Sequence, residues 1–141
     1  QNVFQTYRVG SILNMLGGTC AAEVDVWNKA TNTIQEAADT GLNAAPVANG
    51  FGCGEVGSAS PVSSRYVKEI TTSDAGVISI EAQNIKATDV DGKKVSLTPY
   101  TDTAFAAAAV NADFVTGTNK PIKAWKCTWD GNAKYMPASC R

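Results

Sequence analysis

Apolar residues recur at steps of three and four near the start of this chain and at steps of two after residue 65, a change of period that restricts the fold to a helix followed by a sheet. Val9, Ile12, Leu16, Cys20, Val24 and Trp27 form the first pattern, with Leu13 beside it, so residues 1–31 read as one helix with an apolar stripe. Gly17 and Gly18 interrupt the stripe, each costing about 1 kcal/mol relative to alanine in a helix interior. Because the stripe keeps its phase from Leu16 to Cys20, a continuous helix whose glycines admit a close neighbour is favoured over a break. A further short helix is expected from Thr33, where Thr33 and Glu36 make a capping-box pair, to Gly41.

Residues 32–65 read as the connection from helix to sheet. From Asn43 to Ser64 small residues, Gly50, Gly52, Gly54, Gly57, Pro46 and Pro61 dominate and no period survives, the mark of a long irregular segment that something must hold down. Residues 66–128 carry four strand candidates. Tyr66–Thr72 and Val77–Glu81 flank the turn Ser73-Asp74-Ala75-Gly76; Lys94–Thr98 follows Asp91-Gly92 and stops at Pro99; Ile122–Thr128 closes the series, with three polar or basic side chains on its wet face. The alanine-rich stretch from Thr103 to Val110 is too short to span a membrane and reads as a turn of helix. Helix, loop and antiparallel sheet together give an α+β fold in a single domain, 1–141.

The four cysteines, at 20, 53, 127 and 140, accompany no histidine and no CxxC pair, which removes the usual zinc sets; no metal and no cofactor is expected. An even count at wide spacing favours two disulfides and an oxidising compartment, with four buried thiols in a cytosolic protein as the open alternative. Cys127 and Cys140 would close a short loop at the C-terminus, and if they pair, Cys53 is left to Cys20. No run approaches the roughly 20 apolar residues of a membrane span, and no signal peptide is visible in the sequence; for an exported chain this leads us to expect that an upstream segment has been removed. Net charge is −1, yet five cations (Lys120, Lys123, Lys126, Lys134, Arg141) face one anion (Asp130) in the tail.

Nothing in the pattern points to catalysis, and no catalytic residue is expected. Without histidine, Ser/His and Cys/His nucleophilic pairs are absent. Glu55, Asp74, Asp89, Asp91 and Asp102 fall in turn-like segments expected to be solvated. The glycine cluster from Gly50 to Gly57 lacks the lysine of a phosphate loop, and Asp89-Val90-Asp91-Gly92 fits a hairpin turn better than a calcium loop.

The tail is the most specific segment. Ala124-Trp125-Lys126-Cys127 and Lys134-Tyr135-Met136-Pro137-Ala138-Ser139-Cys140, twelve residues between the cysteines, resemble the last strand and closing loop of the type IVa pilins of Gram-negative bacteria. Tyr66–Ile70 with Gly76–Ile80, and Gly92–Pro99, are similar to earlier strands of the same sheet, so the likeness runs from about residue 66 to residue 140. The resemblance implies a pilin fold, a long N-terminal helix packed on a four-stranded antiparallel sheet with a disulfide-closed loop at 127–140. It also implies a hydrophobic N-terminal anchor half, starting at a methylated phenylalanine and carrying a glutamate important in assembly, that lies outside this sequence. The Cys20/Cys53 pair is not general to that family.

The role implied is a structural subunit of an extracellular filament, inner-membrane anchored before assembly, serving adhesion, twitching motility and DNA uptake. Its partners would be other copies of the subunit, the assembly machinery, and host glycans or surfaces. By the same resemblance the loop residues Trp129, Asp130, Lys134, Tyr135, Met136 and Pro137 would meet the receptor, with Trp129, Lys134, Tyr135 and Met136 exposed or semi-exposed; filling of the space under the loop is an equal expectation for Tyr135 and Met136. A rival function is a minor pilin that binds DNA through Lys120, Lys123, Lys126 and Arg141, interleaved with Trp125 and Trp129. Another is a pseudopilin of a secretion system, against which the Cys127/Cys140 pair argues.

Overall fold

The computed structural model describes residues 3–31, 45–115 and 120–140. One helix, α1 (Val3–Thr31), runs unbroken through Gly17 and Gly18. Four strands follow: β1 (Val67–Thr72), β2 (Ile78–Ala82), β3 (Lys94–Tyr100) and β4 (Ala124–Trp129), in a single antiparallel sheet of order β1-β2-β3-β4. The short helix expected at Thr33–Gly41 lies outside the described residues.

The core lies between α1 and one sheet face. Leu13, Cys20 and Val24 of the helix meet Ile70, Ile78, Ile80, Val95 and Leu97 of the sheet, all buried. Each such aliphatic side chain contributes about 1.5–3 kcal/mol when taken fully out of water. Gly17 explains the close approach: a Cβ there would lie 2.8 Å from Leu97 Cδ1 and 3.3 Å from Ile80 Cδ1, whereas Gly18 faces open space. A register shift between Val67 and Glu69 puts Val67 and Ile70, three apart in sequence, on the same buried face.

Further along α1, buried Asn28 ties the helix to the lead-in of β4. Its Nδ2 donates to the carbonyls of Asp113 and Lys120, and its Oδ1 accepts from Ile122 N. The outer edge of β1 is covered by the preceding loop: Thr72 exchanges bonds with Asn49, Ile70 O accepts from Val56 N, and Ser64 closes on Val67.

Two local expectations are corrected. Pro99 does not stop β3; it lies inside the strand, opposite Trp125. Its carbonyl accepts from Ala109 N, so its backbone faces away from β4 and the missing N–H breaks no rung of that ladder. The alanine-rich stretch is not helical. Both carboxylate oxygens of Asp102 accept from Ala106 N, and Oδ1 also takes Ala107 N, folding the chain into a tight turn before Ala108 bridges to Tyr100. Those bonds also hold the Asp102 carboxyl below its ordinary pKa.

Candidate functional site

The C-terminal loop is fastened by the Cys127–Cys140 disulfide, which joins β4 to a final 3-10 turn at a Cα separation of 4.6 Å. A second 3-10 turn, Ala133–Tyr135, carries Tyr135 and then Met136 beneath the loop. Both are only 1% exposed, which corrects their reading as surface contacts. The physical reason lies on α1: a Cβ at Gly10 would fall 2.6 Å from Met136 Sδ and 2.6 Å from the Tyr135 carbonyl oxygen. Glycine at that position lets the loop sit directly on the helix, and the two side chains fill the seam.

One end of Tyr135 still matters at the surface. Its hydroxyl donates to Asp89 Oδ2 at 3.1 Å and accepts from Lys86 Nζ at 3.2 Å, while Lys86 and Asp89 pair at 3.3 Å. The hydrogen bond to Tyr135, then that to Asp89, raises the Lys86 pKa; the bonds from Lys86 and then Tyr135 lower that of Asp89. Asp89 and Tyr135 of this triad wall a cleft of about 300 Å³ between the β2–β3 connection and the C-terminal loop, which Thr88, Lys93, Asp130, Asn132 and Lys134 also line. Thr88 holds φ +65°, an uncommon conformation for a β-branched residue and a local strain at the cleft wall. Trp129 is half-buried against the core, not freely exposed, and its Nε1 donates to Asn132 O. Asp130 and Lys134 are exposed, and Asp130 Oδ1 accepts from Lys94 N at 2.7 Å. Pro137 is half-buried. Lys86, Thr88 and Lys93 had no distinguishing signal in the sequence, because strand register brings them to the loop, whereas Asn132 lies within the loop itself.

At the other end of the sheet, Cys20 of α1 is bonded to Cys53 of the long connection, Cα to Cα 5.1 Å. Next to it, Glu55 is fully buried, which corrects its reading as a solvated turn residue. Its carboxylate accepts from Phe51 N at 2.9 Å, Cys53 N at 2.7 Å and Thr72 Oγ1 at 2.6 Å. Burial pushes the Glu55 pKa up, but the bonds from Thr72, Phe51 and Cys53 outweigh it and hold the carboxyl below its ordinary value. Asp91 likewise serves structure, accepting from Ile85 N and Lys86 N. Among the described residues no cluster of three or more His, Cys, Asp and Glu side chains could hold a metal ion, and no helix is long and apolar enough to cross a membrane.

Residues 20–141 match the model of the pilin family, whose members form bacterial filaments. This chain belongs to the pilin family. None of the curated proteins matches it. Among solved structures, a crystal structure of a type IV pilin from Pseudomonas aeruginosa is similar at 21% identity, covering 57% of this chain and 67% of that one with a TM-score of 0.41.

In this pilin Lys120, Lys123 and Lys126 are all exposed, and Arg141 lies outside the described residues. The structure does not interleave them with tryptophans as expected. Along β4, Trp125, Cys127 and Trp129 share one face, and both tryptophans pack against the core, whereas Lys126 and Thr128 occupy the wet face. The aromatic residue beside Lys126 is Phe105, whose ring centroid lies 6.0 Å from Lys126 Nζ and 5.1 Å, edge to face, from Tyr100.

Proposed function

We propose that this pilin is a structural, non-catalytic subunit of a type IV pilus, with the whole chain, 1–141, acting as one head domain of the filament. In this reading it is anchored in the inner membrane, taken up by the assembly machinery, and displayed outside the cell. The observation that carries it is the single long helix laid across a four-stranded antiparallel sheet whose last strand is cross-linked to the closing loop. The Tyr135-Met136-Pro137 run before Cys140 supports assignment to the type IVa class. Adhesion is placed at the polar cleft. Lys93, Lys134 and Asn132 supply donors and Asp89 and Asp130 acceptors, a mixture suited to the hydroxyls of a host glycan; twitching motility and DNA uptake belong to the same proposal.

The test is genetic and direct. Cells with the gene interrupted should lose a class of surface filament seen by electron microscopy, and antibody raised to this chain should decorate that filament along its length when the gene is restored. Filaments that persist unlabelled would refute the assignment. A second reading, a minor pilin contacting DNA, is favoured by the exposed Lys120, Lys123 and Lys126. Salt-dependent retention of DNA, abolished by Lys123→Glu with Lys126→Glu, is its expected signature, and absence of binding at low salt removes it.

A further inference from the structure

We propose that Phe105 of one subunit seats in the groove beside the Cys20–Cys53 disulfide of a second copy, bringing Lys126 of the first against Glu23 of the second. The inference rests on the filament-subunit reading and specifies which surfaces meet.

The groove is walled by Leu16 of α1, Val62 of the connection, Ile70 of β1 and the disulfide itself, and Thr19, Gly52 and Glu23 complete its lining. Its volume is about 150 Å³. An apolar cavity of roughly that size accommodates a benzene ring, so the groove is scaled for one aromatic side chain. Leu16 and Val62 are half-buried, Glu23 is exposed, and the wall is therefore open to a neighbour.

Phe105 has the features of the matching anchor. Its side chain is 43% exposed, an unusual state for phenylalanine, and its backbone is held at φ +57°. The Asp102 bonds to Ala106 and Ala107 impose that turn, and Tyr100 braces the ring from the side. A ring fixed in this way has little freedom left to lose on docking, as is usual for the aromatic anchors that dominate interfaces. Lys126 stands beside it on the wet face of β4. Anchor and cation thus meet a ring-sized apolar groove bearing a carboxylate.

Placement makes the contact productive. Ile70 of the groove belongs to β1 and Lys126 of the anchor to β4, the two outermost strands of the sheet. A contact between unlike patches on opposite sides of a subunit is heterologous, the class from which open helical filaments are built.

The test uses filaments assembled in cells from the full-length chain, with the amount of sheared surface filament compared with total subunit. Phe105→Ala is expected to lower filament yield about tenfold while subunit levels hold. Lys126→Glu and Glu23→Lys should each lower it several-fold, and the two together should recover most of the loss. Carbodiimide treatment of intact wild-type filaments should join Glu23 to Lys126 between chains, detectable by mass spectrometry of the linked peptides. Wild-type yields from Phe105→Ala, or a charge-exchanged pair no better than its single parents, would overturn this contact and leave the filament reading standing. Failure of the unaltered chain to form filaments overturns both.

Discussion

Glu55 shows how far one residue can depart from what its neighbours in sequence suggest. Surrounded by glycines, it reads as a solvated turn carboxylate, yet it is the acceptor that organises Phe51, Cys53 and Thr72 from two separate segments. Removing it leaves three donors without this partner, two of them in buried bonds, so Glu55→Ala should destabilise the domain by about 3 kcal/mol in chemical denaturation. Its folded pKa is depressed, so ionised Glu55 contributes stability that is fully present above the ordinary carboxylate pKa, near 4, and lost as pH falls through the lower folded value. Glu55→Gln should therefore flatten the acid limb of the stability curve; an unchanged acid limb would show that the carboxylate cage is not ionised. A sequence reading had no access to this, since nothing in the run Phe51-Gly52-Cys53-Gly54-Glu55 says that a strand seventeen residues away will donate to it. Phe105 was hidden for the same reason: a positive φ at phenylalanine follows from Asp102 caps, which pattern and propensity do not encode.

Among elements, the helix was the most legible and the strand ends the least. An apolar stripe in phase across two glycines correctly implies continuity, because helix periodicity is set by the element itself. Which glycine does the packing is decided by the sheet opposite, and only the fold separates them. Gly18→Ala adds a methyl in open space and should stabilise by about 1 kcal/mol through helix propensity. Gly10→Ala places one 2.6 Å from the Tyr135 carbonyl, a backbone atom that cannot simply swing aside, and should destabilise despite the same propensity gain. Thermal unfolding of the two variants reads the contrast directly; equal shifts would mean the loop does not bear on the helix. Pro99 and the alanine run were misread because strand membership depends on which edge a backbone group faces. The irregular Val67/Ile70 spacing became regular only through a bulge that no single-strand pattern reveals.

At the scale of the whole molecule, two covalent links divide the labour. The cysteine count correctly implied two disulfides, and the tail motif located one of them; the other follows once the first is set. In the chain-entropy account the loop of sequence separation 13 contributes about 3 kcal/mol and that of 33 about 4 kcal/mol. Replacing Cys127 and Cys140 together by serine should lower stability by about the smaller amount and disorder the polar cleft, read by hydrogen exchange at Asn132 and Lys134. Replacing Cys20 and Cys53 should cost more and loosen the connection and its carboxylate cage, leaving the cleft protected. Matching exchange patterns in the two variants would refute this division. The cleft itself was only half legible: its disulfide loop is written in sequence, whereas its opposite wall arrives through register.

The covered margin of β1 has a consequence for growth. The first strand of the sheet is already hydrogen-bonded to Asn49, Val56 and Ser64, so its margin gives an incoming strand no free ladder to extend. On that side, a backbone ladder cannot run on from one copy to the next, and the stacking that makes amyloid permanent has nowhere to start.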